Sequence, residues 1–136
     1  MQLGLFSKVA AGITILIFVA SSGCGHDQQL ILITVTPAAE TVSAALGTSL
    51  QIQYTAIGTF QHPPAQKDIT NQVVWSTPTP QIVSIDPKTG LATTQDGCGT
   101  NIPINATGRE NINSGTGSVV VGTATVTLKH PGVTGC

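Results

Sequence analysis

VVWSTPTPQIVSIDPKTGLATT, residues 73–94, carries the punctuation of a small β-domain. VVWS reads as a short strand, TPTPQ interrupts it with prolines that cannot donate to a ladder, and IVSID resumes an extended run. DPKTG then supplies a turn, with Asp86 at its start, Pro87 where the backbone is already bent, and Gly90 at its end. LATT continues as another strand. Trp75, the single tryptophan of the chain, stands in the first of these strands and is the natural centre of a core.

The same alternation of short strands and turns continues on both sides of this stretch. Upstream, LILITVTP is strand-like and closed by Pro37. SLQIQYTAIGTF has a period of two that places Leu50, Ile52, Tyr54 and Ala56 on one face, after a turn at Leu46-Gly47-Thr48. QHPPAQKDITNQ reads as a polar, proline-bearing loop. Downstream of a DGCG turn, TNIPINATG and GSVVVGTATVTL are strands flanking a polar insert, ATGRENINSGTGS, expected to be a mobile hairpin loop. Pro103 implies an edge, a bulge or a shortened strand. Thr, Val, Ile and Gly dominate a sequence whose aromatic fraction is only 4%. β-Branched side chains lose rotamer freedom in helices and fit a pleated surface, so the chain is all-β. About seven short strands with closely spaced turns match an immunoglobulin-like antiparallel sandwich, in which a buried Trp in this strand packs against the opposite sheet.

The first residues have a different character. MQLGLFSKVAAGITILIFVASSGC offers Lys8, then an apolar run from Val9 to Ala20, then small residues, the layout of an export signal. The apolar run falls short of the ~20 residues that cross a bilayer, although counting from Leu3 lengthens it towards an uncleaved anchor. Ser21-Ser22-Gly23-Cys24 resembles the lipobox of bacterial lipoproteins, with Ser21 where that family usually has Leu. The resemblance implies that residues 1–23 are removed and that Cys24 is acylated, with 24–29 as a tether and 30–136 as the domain. It also implies the outer rather than the inner membrane, because Gly25 stands where Asp would cause inner-membrane retention. The other reading of the same residues is an ordinary signal cut nearby, with Cys24 a free or paired thiol.

The chain has three cysteines, and lipid on Cys24 leaves Cys98 and Cys136 as a pair in an oxidising compartment. If the last two strands form a hairpin, Cys98 precedes one and Cys136 follows the other, at adjoining ends. The glycine- and proline-bearing tail KHPGVTGC can turn back across the gap, so a Cys98–Cys136 disulfide is expected.

ITVTP, LGTSLQIQYTA, VVWSTPTPQIVSIDPKTGLATT and GTATVTL together resemble the bacterial immunoglobulin-like group 2 domain. The resemblance spans roughly residues 31–128, and Trp75-Ser76 through Gly90-Leu91 is its most specific part. It departs from the family between Cys98 and Gly117, where this chain is longer, which puts the pairing of the last two strands in question. What it implies is a non-catalytic surface module that is structural, adhesive, or bound to a glycan or a protein.

Chemistry-bearing residues are sparse. Charged residues make up 8% and the net charge is −1, which gives no electrostatic basis for nucleic-acid binding. His26 falls in the tether, His62 in a proline-rich loop and His130 in the tail, each without a partner at ligand spacing. Asp86 and Asp96 read as turn formers, and a calcium site at Asp96 would need six to eight oxygens. No metal, cofactor or catalytic residue is assigned. Two functions from different classes fit: the surface module, or an accessory subunit docking onto a larger envelope complex through an exposed strand edge.

Overall fold

Strand positions follow the alternation of the sequence, and partner strands decide where each run stops. The structure, a computed structural model, describes residues 28–136. Its strands are β1 (Gln29–Thr36), β2 (Ala39–Ser43), β3 (Gln51–Gln53), β4 (Thr55–Gln61), β5 (Ala65–Asp68), β6 (Val74–Ser76), β7 (Val83–Ile85), β8 (Leu91–Thr94), β9 (Gly99–Asn111) and β10 (Thr116–Lys129). They form a four-stranded sheet, β2-β10-β9-β6, and two three-stranded sheets, β1-β4-β5 and β3-β8-β7. Among the described residues the pairings are antiparallel except that of β2 with β10, which is parallel. One apolar core draws residues from all three sheets, an arrangement consistent with a β-sandwich.

Ten strands replace the expected seven for three local reasons. The opening run ends at Pro37, and the next residues form β2 against the end of β10, with Thr125 opposite Ala39 and Lys129 opposite Ser43. The run 50–60 changes sheet at Tyr54: β3 pairs with β8, whereas β4 pairs with β1 and β5. The polar segment read as a loop contributes β5, an edge strand whose Lys67 and Asp68 are exposed. Charges on a short edge strand discourage pairing with another chain.

The expected hairpin of the last two strands is present and longer than its polar sequence indicated. Gly108, Arg109 and Asn111 pair with Val120, Val119 and Thr116, so the connecting turn is only residues 112–115. Most of the insert expected as a mobile loop is therefore strand. Its small and polar side chains suit a ribbon with one wet face, and buried Gly108 continues the inward face of Ile102, Ile104 and Ala106. Pro103 lies opposite Thr125, while β6 stops opposite Asn105, so the flank of Pro103 away from β10 is an unpaired edge where its missing donor costs nothing.

Trp75 is buried at 2% exposure and sits where the sheets meet. Its backbone N–H donates to the Pro87 carbonyl at 3.0 Å, and its indole Nε1–H donates to the Thr70 carbonyl at 2.8 Å. Tyr54 lies against it with ring centroids 6.4 Å apart. The turn read from DPKTG seats the ring from the other side. The Asp86 carboxylate accepts the Lys88 and Thr89 N–H groups at 2.8 Å each, which holds its own pKa below the usual carboxylate range, the Lys88 bond contributing most. Gly90 adopts φ +72°, and a Cβ there would meet the indole at 2.8 Å and the Tyr54 carbonyl at 2.9 Å. Ile52 packs on the core half-buried. Leu50, expected on the same face, is half-buried and precedes β3, outside the core cluster.

Two outcomes follow. Gly90→Ala combines a left-handed backbone with a clash against fixed atoms and is expected to destabilise the fold by roughly 2–4 kcal/mol. Urea unfolding followed by Trp75 fluorescence measures it. Burial, and secondarily the Glu40 carboxylate, push the Tyr54 hydroxyl up to about 12 from its ordinary 10.0. A raised folded value means that this contribution to stability is complete below pH 10 and is lost as pH rises towards 12. As Tyr54 is the only tyrosine, tyrosinate absorbance should titrate late in the native protein and normally in urea.

Candidate functional site

The described chain begins at one end of the sandwich, and two neighbouring concavities lie at that end. A groove of about 420 Å³ opens beside β6 and the last turn of β9, lined by Gln72, Val74, Thr107, Arg109 and Ile112. A second hollow of about 160 Å³ shares Gln72 and Ile112 and adds Gln28, Phe60 and Lys67. Gln28 is fixed there by its side chain: Nε2 donates to the Pro63 carbonyl at 3.2 Å, and Oε1 accepts from the Lys67 ammonium. The Lys67 Nζ also lies 5.4 Å from the centroid of the Phe60 ring. Gln28, expected within a flexible tether, is thus tied to the domain, and Gln29 already belongs to β1.

The groove continues onto the outer face of the four-stranded sheet. Val74 pairs with Thr107, and Thr107 with Val121, so these three side chains form a row across three strands. Val74 is 61% exposed and Val121 51%, with Val119 beside them at 53%. A sequence signal for this face existed in the run Val119-Val120-Val121, since strict alternation cannot hide three consecutive valines. The backbone edge of β6 is less available, because the Trp75 N–H is taken by Pro87.

The charged pair at this end does not form an ion pair. Arg109 Nη1 donates to the Gly117 carbonyl at 3.3 Å, and the Glu110 carboxylate accepts the Ser118 N–H at 3.3 Å. Both fasten the hairpin.

The other residues singled out in the sequence lie elsewhere. Cys24, His26 and Asp27 are outside the described residues. Cys98 and Cys136 are joined, with Cα atoms 5.7 Å apart, at the end remote from Gln28. His62 is exposed in the turn between β4 and β5, at φ +56°. His130, at the start of the tail, is buried at 3% exposure, with Nδ1 2.7 Å from the Ala44 carbonyl and Nε2 3.1 Å from the Gly97 carbonyl. It fastens the start of the tail to two distant loops. Asp96 acts across the fold, its carboxylate accepting the Gly47 N–H at 2.8 Å. Among the described residues no cluster of three His, Cys, Asp or Glu side chains is arranged to hold a metal ion.

No protein-family model matches this chain, and no curated protein matches it either.

This end of the domain thus combines an apolar groove bordered by Arg109 with a neighbouring hollow bordered by Lys67, and the disulfide lies at the far end. Reducing the bridge across 38 residues should lower stability by ~3–4 kcal/mol in the chain-entropy account. Denaturant midpoints with and without reductant measure the loss; unchanged midpoints would contradict it.

Proposed function

We propose that this protein is a non-catalytic, lipid-anchored module of a bacterial cell envelope, built on an immunoglobulin-like domain. The observation that carries the reading is the strand order β2-β10-β9-β6 with its single parallel pair at β2. The first segment of an immunoglobulin-like sandwich can divide in this way, its two halves pairing with different sheets. The buried Trp75 in β6 and the Gly90 turn beneath it support the same assignment. So does the resemblance of residues 31–128 to the bacterial group 2 domains.

The anchor comes from the leader, which ends in small residues on Cys24. A lipoprotein cysteine carries more than one acyl chain, which suffices for stable attachment. The outer membrane is the expected destination, with Gly25 after the lipid-bearing residue.

Between a glycan and a protein as ligand, the exposed groups favour protein. Phe60, Tyr54 and Trp75 are all buried, whereas the outer face offers the row of Val74, Thr107 and Val121. The same row favours contact through a sheet face over docking through a strand edge, because β6 is capped by Pro87 and β5 bears charges. No catalytic residue, metal or cofactor enters this reading, and nucleic acid is not among the partners.

The test is the mass of the mature N-terminus from membranes. The expected species begins at Cys24, lacks residues 1–23 and carries acyl chains, and Cys24→Ser abolishes both acylation and membrane retention. A mature protein with an unmodified Cys24 thiol would refute the anchor.

A further inference from the structure

We infer that the end of the sandwich formed by Gln28, Lys67, Arg109 and the 112–115 turn is a docking surface for the phospholipid bilayer. The inference rests on the reading of Cys24 as the lipid-bearing residue and goes beyond it, since an anchor alone does not orient a domain.

Chain length makes the first argument. Only Gly25, His26 and Asp27 separate Cys24 from Gln28. Four Cα steps span at most about 14 Å when fully extended. A cysteine whose acyl chains enter the bilayer lies at headgroup level, so Gln28 stays within that distance of it. Gln28 cannot swing away from the domain without breaking its bonds to Pro63 and Lys67. The opposite end, with the Cys98–Cys136 bridge, is a full strand length removed: β10 has 14 residues, or about 45 Å.

The chemistry of the surface makes the second. Lys67 holds its ammonium over the Phe60 ring and Arg109 borders the apolar groove, so both basic groups stand beside apolar surface, as they do where hydrocarbon meets phosphate. Ile112, shared by both hollows, supplies an apolar contact beside them. Two carboxylates lie nearby: Asp68, which accepts the Thr70 N–H at 2.9 Å, and Glu110, which accepts that of Ser118. Of the remaining basic residues in the described chain, Lys88 sits in the turn before β8 and Lys129 at the far end of β10.

The experiment uses the acylated full-length protein in vesicles of phosphatidylethanolamine and phosphatidylglycerol. Asn113→Cys and Thr48→Cys, at opposite ends, each carry an environment-sensitive fluorophore, and the lipid headgroups carry a spin-label quencher. The probe at position 113 should be quenched several-fold more than that at 48. A companion protein has about 12 Gly/Ser residues inserted between Asp27 and Gln28, adding roughly 19 Å of mean span. A docking surface keeps the asymmetry despite this insertion, and Lys67→Glu with Ile112→Asp then abolishes it. Trp75 fluorescence verifies that these variants remain folded. Equal quenching of the two probes in the extended protein, while it still floats with the vesicles, overturns the docking surface and leaves the anchor intact. Failure to float overturns the anchor and the docking surface with it.

Discussion

The seat of Trp75 is the contact on which the rest of the molecule depends. The indole belongs to β6 of the four-stranded sheet, yet its ring touches Tyr54, where the chain passes between the other two sheets. Beneath it lies Gly90, in the turn that joins β7 to β8. One side chain therefore meets segments that adjoin all three sheets. A buried tryptophan removes ~150–250 Å² from water, and its polar N–H must find a partner. The Thr70 carbonyl provides one at 2.8 Å, so the ring is fixed in orientation as well as in place.

Much of this was legible in the sequence because it is local. Asp86, Pro87 and Gly90 announce a turn through their own backbone preferences, and the structure bonds them as expected. The period of two in residues 50–60 identified extended chain facing a core. It did not show that β3 and β4 belong to different sheets, because periodicity reports which way a side chain faces and not which strand lies beside it. β2 and β5 were hidden for a related reason. Ala39–Ser43 and Ala65–Asp68 have weak strand propensity, and only pairing with β10 and β4 makes them strands.

The candidate site was less legible than the fold. Arg109 and Ile112 looked like loop residues because their segment is polar, and the hairpin that organises them comes from cross-strand pairing over many residues. His130 has no neighbour in sequence to disclose its role, since its carbonyl partners are 86 and 33 residues away. The Cys98–Cys136 bridge, by contrast, was legible from the cysteine count, a tail able to turn back and hairpin topology, because the ends of paired antiparallel strands must adjoin.

These elements give the domain a polarity. Its first described residue is bonded into one end, and a disulfide closes the other, with the long β9–β10 hairpin between them. Under the anchor proposed at Cys24, such a domain would stand upright, with its valine-bearing face presented laterally above the membrane. Neutron reflectometry of the acylated protein on a supported bilayer tests this most directly. An upright domain gives a protein layer about 45 Å thick lying directly on the headgroups. A layer of roughly 20–25 Å, the thickness of a sandwich lying flat, or a water gap beneath the protein, would contradict it.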